Sequence, residues 1–370
     1  MHIGIVELCE KNHHSLIFNW IKIANINNWR ITLFTTQEIL KNVKSELIGL
    51  KYRVVIKDTN NLIYHIKINK IINSNKIDKL IYLTICNYLV HLFIPLKPKN
   101  FGITVHNANT WFNKNNIRNL KHLLKRFIVN RLRNKASFFI VNSQNMKTFV
   151  DKNHPQLKPI YALPFSLKKN INKFTNRKNK FFTTVYPGSI NHLRRNYKNF
   201  IRLAKSNPKD KFIILGNTKK NKNNFYIFEK VKKISNIKLY NRYIGIKNFN
   251  EVIKNSNLLF SDIKVNYSSS DISEVYGLSK DSGISYLMNE FNMPCLLNSD
   301  FVNFTELSNG SLYFENYDKL YKLYNKIKKN KKYLFLLSKK IQNDTKGFNI
   351  KKHSQNVNKF FLENNISNSF

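Results

Sequence analysis

Cysteine is scarce in this sequence, and so are acidic residues. The three cysteines, Cys9, Cys86 and Cys295, are widely separated and form no CxxC pair. Their number and spacing predict neither a disulfide framework nor a structural zinc site. This usage is typical of a protein that works in a reducing compartment.

Several motifs that identify common enzyme classes are missing. No two of the ten glycines are spaced i, i+2, which excludes the GxGxxG fingerprint of dinucleotide-binding dehydrogenases, and the GxxxxGK[ST] loop of P-loop NTPases is absent. There is no GxSxG, no HExxH and no Asp-x-Asp pair, which would be a usual cation ligand beside a nucleotide sugar. We therefore expect a reaction that needs no cofactor and no tightly bound metal.

Because acidic residues are few, the chain is strongly basic: 63 Lys and Arg stand against 21 Asp and Glu, a formal net charge of +42. Such a charge predicts a polyanionic partner, which could be nucleic acid, an anionic membrane or a phosphorylated ligand. However, only 11 of the basic residues are arginine, and Lys, Asn and Ile are abundant throughout, as AT-rich coding sequence produces regardless of function. Nucleic-acid recognition relies on arginine, so we expect no nucleic-acid partner and keep a nucleic-acid-binding protein as the competing hypothesis.

Long hydrophobic runs are missing as well. The N-terminal segment MHIGIVEL has no basic region before an apolar stretch and no small-residue cleavage site, so it does not predict a signal peptide. The longest apolar run, 80–96, contains Asn87 and His91 and is shorter than the ~20 residues of a membrane-spanning helix. We expect a cytoplasmic protein.

Short apolar runs alternate with segments of helical period along both halves of the chain, which is typical of βα units around a parallel sheet. The strands expected in the first half are Ile3–Leu8, Arg30–Phe34, Tyr52–Ile56, Lys79–Thr84, Gly102–Val105 and Phe138–Val141. Those expected in the second half are Phe181–Tyr186, Lys211–Leu215, Ile237–Tyr240, Leu258–Phe260 and Cys295–Leu297.

A polar stretch at 168–180 separates the two halves and predicts a linker. We therefore expect an α/β protein of two Rossmann-like domains that face each other across a cleft. The domains would span 1–167 and 181–345, and 346–370 would form a C-terminal helix.

Two segments of the second half carry residues suited to binding an anion. In Phe181–Phe200 a strand runs into Pro187-Gly188 and then Arg194 and Arg195, and backbone amides beside fixed cations suit a phosphate. In 270–294 an acidic residue and a Tyr-Gly pair precede a helix whose N-terminal amides favour an anion. Both segments also fit ordinary turns with solvated arginines and a Ser or Asp N-cap.

Together these segments resemble the retaining, nucleotide-sugar-dependent glycosyltransferases of the GT-B fold, a group 1, family 4-like relationship. Gly188 with Arg195 resembles the family's Gly-containing loop that ends in Arg or Lys, and Glu274-Val275-Tyr276-Gly277 resembles its acidic-x-aromatic-Gly motif. Ile103–Trp111 and Phe138–Phe149 are similar to segments of the family's first domain. The resemblance extends over most of the chain.

The resemblance implies roles for the matching residues. Arg195, or Arg194 beside it, would bind the donor diphosphate and stabilise the charge that develops as the glycosidic bond breaks. Glu274 would hydrogen-bond or orient the donor sugar, and His106 would reach towards the sugar that is transferred. The other expected donor-binding residues are Gly188, Tyr276, Gly277, Leu278, Ser279, Lys280, Ser282 and Gly283.

The sequence departs from the family in two places. Ser282 stands eight residues after Glu274, where the family commonly has a second glutamate that holds the nucleotide ribose. This substitution leaves the nucleotide open and makes a catalytically inactive relative a further alternative. The family's Gly-rich loop after the first strand is replaced by residues 9–14, in which His13 or His14 would face the acceptor or form a polar helix entry.

The reaction implied by the resemblance is transfer of a hexose from a nucleotide-sugar co-substrate to a hydroxyl, with retention of the anomeric configuration. The acceptor would be a glycan or a lipid-linked glycan bound by the first domain, as in polysaccharide biosynthesis, while the second domain would bind the donor. No pair of carboxylates for a double displacement is evident, so retention would rest on assistance by the leaving phosphate.

A basic amphipathic helix is predicted within Asn116–Lys135. Basic residues flank its apolar stripe, which could bind an anionic membrane at the cytoplasmic face or simply pack on the sheet. The sequence supports these two interpretations equally. The stripe consists of Ile117, Leu120, Leu124, Phe127 and Ile128.

Overall fold

The computed structural model describes residues 1–10, 13–85, 90–93, 100–113, 120–155, 157–167, 181–216, 225–240, 244–269 and 272–366. The linker predicted at 168–180 lies outside these residues. The chain divides into two compact units. The first unit comprises Met1–Lys169, Ser268–Glu274 and Phe348–Phe370, and the second comprises Asn170–Tyr267 and Val275–Gly347.

The first unit contains a seven-stranded sheet in the order β3-β2-β1-β4-β5-β6-β7, with all neighbouring strands parallel. Its strands are β1 (His2–Glu7), β2 (Arg30–Thr35), β3 (Arg53–Ile56), β4 (Lys79–Tyr82), β5 (Phe101–Val105), β6 (Phe138–Val141) and β7 (Ile160–Ala162). Every residue of β1, β4, β5 and β6 is buried. Parallel strands covered on both faces require the near-continuous apolar runs seen in the sequence.

Helices alternate with these strands, and several begin at a side chain that caps a free backbone amide. Thr36, Asn60 and Ser143 each accept a hydrogen bond from the third residue beyond them. The helices are α1 (His14–Ile26), α2 (Gln37–Val43), α3 (Asn61–Ser74), α4 (Val90–Phe93), α5 (Ala108–Phe112), α6 (Leu120–Lys135) and α7 (Gln144–Asn153).

The second unit contains a six-stranded parallel sheet in the order β10-β9-β8-β11-β14-β15. A separate two-stranded sheet, β12 (Asn266–Ser269) with β13 (Ile272–Val275), is where the chain passes between the units. The strands of the large sheet are β8 (Thr183–Pro187), β9 (Lys211–Leu215), β10 (Ile237–Leu239), β11 (Leu258–Ser261), β14 (Cys295–Asn298) and β15 (Ser311–Phe314). Its helices are α8 (Lys198–Lys205), α9 (Phe225–Lys232), α10 (Ile246–Lys254), α11 (Gly283–Phe291), α12 (Tyr317–Lys329) and α13 (Lys331–Asp344).

The last helix, α14 (Ile350–Ile366), returns to the first unit and packs on α1. The ring of Phe361 stacks on Trp20 with centroids 6.3 Å apart and meets the edge of Phe138 at 5.3 Å. All three side chains are almost wholly buried. The helix at the C-terminal end of the described chain is therefore part of the core around β1.

The predicted α/β fold of two Rossmann-like units is confirmed, since both sheets are parallel and share the order third, second, first, fourth. The sequence predicted no disulfide framework, yet Cys9 is disulfide-bonded. Cys295 is a buried free thiol whose pKa is raised by burial. None of the helices in the described part of the chain is both long and apolar enough to cross a membrane.

Candidate functional site

Polar side chains follow four neighbouring strands of the first unit at the edge where the strands end. Glu7 is the last residue of β1, Thr84 follows β4, His106 follows β5 and Asn142 follows β6. Because parallel strands end at a common edge, these residues lie close together. This edge is the usual ligand-binding edge of an open α/β sheet.

Glu7 is fully buried and is the acceptor for four hydrogen bonds. Its Oε2 accepts from Nδ1 of His13 at 2.9 Å and from the hydroxyl of Thr84 at 2.7 Å, and its Oε1 accepts from the amides of Cys9 and Glu10 at 3.0 Å. Burial alone would raise the pKa of Glu7, but these hydrogen bonds and the charge of His13 outweigh it, so the pKa is lowered. The carboxylate is therefore ionised at neutral pH.

His106 lies beside His13, with ring centroids 4.7 Å apart. Its Nε2 donates to the backbone carbonyl of Leu83 at 2.8 Å, and its Nδ1 accepts from the side-chain nitrogen Nδ2 of Asn142 at 2.8 Å. The side-chain amide nitrogen of Asn142 can only donate, so Nδ1 carries no proton and His106 is the neutral tautomer protonated at Nε2. Both ring nitrogens are used, and neither is placed to transfer a proton.

Glu274 is buried in the first unit at the start of α5. Its carboxylate accepts from the amide and hydroxyl of Thr110 at 2.9 and 2.8 Å and from the amide of Asn109 at 3.3 Å. The side chain of Asn109 also donates to the carbonyl of Ser273 at 2.7 Å. A carboxylate at a helix N-terminus satisfies amides that have no partner within the helix. These hydrogen bonds link β13 to the segment that follows His106.

In the second unit, Gly188 follows β8 and has a φ of +103°. Nη1 of Arg195 donates to the carbonyl of Pro187, and its guanidinium lies 5.5 Å from the ring centre of Tyr186. A Cβ on residue 188 would overlap this guanidinium, lying 2.8 Å from its Cζ. Glycine is therefore required both by the backbone and by the position of Arg195.

Backbone hydrogen bonds hold the loop that carries both arginines against the segment after β11. The amide of Asn196 donates to the carbonyl of Asp262 and the amide of Lys264 donates to the carbonyl of Arg194, both at 2.9 Å. Nη2 of Arg194 donates to the hydroxyl of Tyr267 at 3.1 Å, with its guanidinium 4.4 Å from the ring centre. Its Nε is buried and has no hydrogen-bond partner within the described residues.

The carboxyl group of Asp262 is buried beside this loop. It accepts a hydrogen bond from the side chain of Asn199 at 2.8 Å. Burial raises the pKa of Asp262 to about 6, although hydrogen bonds with Asn199 and Asn196 act in the opposite direction. Asp262 is therefore a weaker negative charge near neutrality than an ordinary aspartate.

The segment after Glu274 forms a tight turn that uses most of its own amides. The amides of Leu278, Ser279 and Lys280 all donate to the carbonyl of Val275, at 3.0 to 3.2 Å. The φ of Gly277 is +90°, and a Cβ there would overlap the carbonyl of Val302. These three amides are therefore unavailable to a phosphate in this conformation.

The start of α11 is more open than this turn. The hydroxyl of Ser282 caps the helix by accepting from the amide of Ile284 at 3.4 Å. A Cβ built on Gly283 would meet nothing within 4 Å, so the space beside its Cα is open. The ammonium of Lys280 lies 5.9 Å from the ring centre of Tyr276, which is buried. An anion could approach the Gly283 amide here.

The structure adds residues that sequence reasoning missed. They are Glu7, Thr84 and Asn142 in the first unit and Asp262 and Tyr267 in the second. Four of the five lie at or just after the end of a parallel strand. A search for polar residues at those positions could have found these four, but Tyr267 lies within β12 and gives no such signal.

Within the described residues, no cluster of three or more His, Cys, Asp or Glu side chains could hold a metal ion. The carboxylates described above are instead hydrogen-bonded to protein groups.

No protein-family model matches the sequence, and no curated protein matches it. Solved structures do match its fold. A glycosyltransferase from Rickettsia africae is similar over 98% of both chains, with 11% identity and a TM-score of 0.68. A sucrose-phosphate synthase from Thermosynechococcus elongatus is similar over 98% of both chains, with 9% identity and a TM-score of 0.68.

A third similar structure is Anabaena HepE in complex with UDP-glucose. The similarity covers 98% of this chain and 100% of HepE, with 12% identity and a TM-score of 0.68. At such low identity the likeness establishes the fold alone. The predicted GT-B fold is confirmed.

Proposed function

We propose that this protein is a glycosyltransferase that takes its sugar from a nucleotide-sugar donor bound by the second unit. The observation that carries the proposal is the loop after β8, in which Arg194 and Arg195 have no ion-pair partner within the described residues. The loop lies at the carboxyl edge of the sheet, where α/β folds bind phosphorylated ligands. The UDP-glucose in the similar HepE structure supports the same donor class for this chain.

Arg195 would bind the diphosphate and stabilise the charge that forms when the glycosidic bond breaks. Its guanidinium is held before the donor arrives, by the carbonyl of Pro187 and the ring of Tyr186. A preorganised cation of this kind favours the transition state over the bound substrate. Arg194 would be the second cation, and the amide of Gly283 would bind a phosphate oxygen.

We assign acceptor binding to the first unit, where His13 lies at the end of the sheet and His14 begins α1. The contacts of Glu274 support a role in positioning the segment from His106 to Thr110 rather than direct contact with the donor sugar. His106, with both ring nitrogens bound, would present a fixed surface to the substrate.

The finer features of the reaction come from the family resemblance and stay predictions. They are a hexose donor, a glycan or lipid-linked glycan acceptor, and retention of configuration. The anomeric configuration of the product, read by NMR, decides this point.

We also propose that α6 binds the surface of an anionic membrane. Of the predicted apolar stripe, Ile128 is buried, whereas Leu124 and Phe127 are 40% and 59% exposed. The side chains of Ile117 and Leu120 lie outside the described residues. Further exposed apolar residues are Leu123 on α6 and Leu62, Ile63 and Ile66 on α3.

Both α3 and α6 contact α4 in the first unit. We propose that lipid covers the apolar side chains exposed on α3 and α6. The reason is charge: the chain has a net charge of +42, and α6 carries several Lys and Arg. Apolar contact together with attraction to anionic lipid is the usual basis of peripheral membrane binding.

Thermal unfolding in the presence of nucleotides tests the donor proposal. UDP, ADP and GDP, each with and without a glucose residue, should be compared, since a ligand at ~100 times its Kd stabilises the protein by about 2.7 kcal/mol. We expect the nucleotides of one of the three bases to raise the Tm of the wild type. Arg195→Ala should lose most of that increase in Tm. The matched control is Arg202→Ala, whose guanidinium lies over Tyr317 away from the loop. No stabilisation by any nucleotide, together with tight salt-sensitive binding of single-stranded DNA, would favour the nucleic-acid-binding alternative.

A further inference from the structure

A cavity of about 770 Å³ lies in the first unit at the edge of the sheet where β1, β2 and β3 begin. His2, Arg30 and Arg53 are the first residues of these three strands, and all three line the cavity. Glu7 and His106, at the carboxyl ends of their strands, lie at the opposite edge of the same sheet. The functions proposed above use none of the residues that line this cavity.

The register of the strands places four side chains of this edge on one face of the sheet. His2 pairs with Arg30, and Thr32 pairs with Arg53. Paired residues of neighbouring strands share a face, and so do residues two apart, such as Arg30 and Thr32. The two arginines therefore leave adjacent strands on the same side of the sheet.

Hydrogen bonds hold the polar groups that lie near these arginines. Nδ1 of His2 donates to the carbonyl of Asn75, and in the neutral ring Nε2 accepts from the hydroxyl of Thr32, both at 3.0 Å. Nη1 of Arg53 donates to Oδ1 of Asn75 at 2.8 Å. Burial lowers the pKa of His2, and the charges of Arg30 and Arg53 act in the same direction, although the hydrogen bond to Asn75 opposes them. The imidazole is therefore neutral at neutral pH and adds no charge to the cavity.

The cavity is cationic. No lining residue in the described part of the chain is acidic, and four lining residues are basic and exposed: Arg30, Lys51, Arg53 and Lys76. None of the four forms an ion pair within the described residues. The helices α1 and α3 end here, and their two ends, with the carboxylate of Asp78 that accepts from the amide of His2 at 2.6 Å, offset about two of the four positive charges. The remaining charge favours an anionic ligand.

The backbone at the cavity gives a second, independent observation. Asn28 follows the end of α1 with a φ of +55°, and Lys76 follows the end of α3 with a φ of +47°. Asparagine commonly adopts this left-handed conformation after a helix, whereas lysine is strained there and glycine is the usual residue. A charged side chain at a position where glycine would be easier indicates that the side chain is used.

Two aromatic rings, those of Trp29 and Tyr52, also line the cavity, and both are partly buried. The ring of Trp29 lies 6.0 Å from that of Phe361, between centroids. The side chain of Asn25 holds the backbone of Lys51 by two hydrogen bonds of 2.9 and 2.8 Å, so the segment that carries Tyr52 is attached to α1. Aromatic rings beside guanidinium groups suit a ligand that carries both a phosphate and a ring.

We propose that this cavity binds a phosphate monoester whose organic group contains a ring, either a sugar phosphate or a nucleoside monophosphate. Arg30 and Arg53 bind the phosphate, the two lysines add charge, and Trp29 and Tyr52 contact the ring. A guanidinium matches the geometry of phosphate oxygens, and a phosphate monoester carries close to two negative charges at pH 7. The site lies within the first unit and does not depend on the glycosyltransferase function proposed above.

The fluorescence of Trp29 provides a local signal for the test. Of the three tryptophans, Trp29 is partly buried, whereas Trp20 and Trp111 are buried. The protein should be titrated with glucose 1-phosphate, AMP, inorganic phosphate and glucose. We expect a saturable change with at least one of the two esters, weaker binding of inorganic phosphate, no change with glucose, and no signal in Trp29→Phe. Tighter binding of glucose 1-phosphate identifies a sugar phosphate as the ligand, and tighter binding of AMP identifies a nucleotide.

Variants of the cations test the assignment of the phosphate contacts. Arg30→Gln and Arg53→Gln should each raise the Kd of the preferred ester by about ten-fold or more, since each removes charged hydrogen-bond donors. The matched control is Arg202→Gln, which removes the same charge from the second unit and should bind as wild type does. Lys76→Gly should also bind more weakly, yet it should unfold at the same or a higher temperature, because glycine relieves the strain of the positive φ. Weaker binding in that variant cannot be due to unfolding.

A further variant separates this site from the donor site proposed in the second unit. Arg195→Ala should keep the fluorescence change at the wild-type Kd. Loss of the change in Arg195→Ala would overturn the proposal, and so would no change in the wild type with either ester at millimolar concentrations. Equal weakening by Arg53→Gln and Arg202→Gln would also overturn it, because binding would then follow net charge. A protein that binds the ester but not UDP-glucose would support this site and count only against the proposed function.

Discussion

Replacing Gly188 with alanine should displace Arg195 from its position without unfolding the second unit. Residue 188 has a φ of +103°, and its Cβ would lie 2.9 Å from Nη1 of Arg195. The positive φ costs an ordinary residue roughly 1–2 kcal/mol. The overlap adds little to this, because the atoms in the way belong to the flexible end of a side chain that can move aside.

The functional cost of Gly188→Ala should be larger than its cost in stability. If Arg195 stabilises the leaving diphosphate, its displacement removes about 2.7–4 kcal/mol from the transition state, or about 10² to 10³-fold in kcat. The matched control is Gly49→Ala. Gly49 also has a positive φ, +78°, but a Cβ there meets nothing within 4 Å. Both variants should unfold a few degrees below wild type, since 1 kcal/mol shifts the Tm of a unit of this size by roughly 2–4 °C.

UDP release from UDP-glucose and thermal unfolding, measured on Gly188→Ala, Arg195→Ala and the double variant, complete the test. We expect the double variant to be no slower than Arg195→Ala, because the glycine acts through the arginine. Wild-type turnover by Gly188→Ala, or fully additive losses in the double variant, would refute this account of the loop.

Three further predictions concern Glu274, Asp262 and α6. Glu274→Ala should destabilise the protein by about 1–3 kcal/mol in thermal unfolding, because buried hydrogen-bond donors lose their acceptor. Unchanged stability with weaker UDP-glucose binding would instead indicate that Glu274 contacts the donor directly. The pKa of Asp262 is raised from 3.8 to about 6. Its favourable contribution to folding stability is therefore fully present below pH 3.8 and is lost as the pH rises through about 6. Asp262→Asn should therefore have a higher Tm than wild type at pH 7.5 and no advantage near pH 4, and an equal difference at both pH values would contradict ionisation as the cause. Replacing Leu124 and Phe127 with serine should lower co-sedimentation with anionic vesicles by at least ten-fold at low salt. Leu362→Ser, which changes an exposed apolar residue of α14, should leave co-sedimentation unchanged. Equal loss of co-sedimentation in both variants would argue against α6 as the binding surface.

The elements that could be predicted from sequence are those whose burial leaves a local pattern. β6 and β9 occur at the predicted residues because a strand buried on both faces must be a continuous apolar run. β12 and β13 were not predicted, since NYSS and ISEV are short and largely polar. Their position depends on distant contacts, such as that between Glu274 and Thr110, which no local pattern encodes.

The residues of the candidate site also fall into two groups, those that a local sequence motif predicts and those whose pairing depends on distant contacts. The glycine at 188 and the arginines at 194 and 195 form a recognisable local motif, and the structure brings all three into one loop. The pairing of His13 with Glu7 depends on a turn and on Thr84, 77 residues further along the chain. Residue types at strand ends could indicate candidates, but not which of them bond to each other.

The return of α14 to the first unit has a consequence for synthesis of the chain. Trp20 and Phe138 leave the ribosome long before Phe361, the ring that covers them. During that interval the β1 side of the first unit exposes apolar surface, whereas the second unit can assemble from residues already made. The order in which the two units mature is therefore the reverse of the order in which they begin, and the nascent first unit is the part of the molecule that would most need a chaperone.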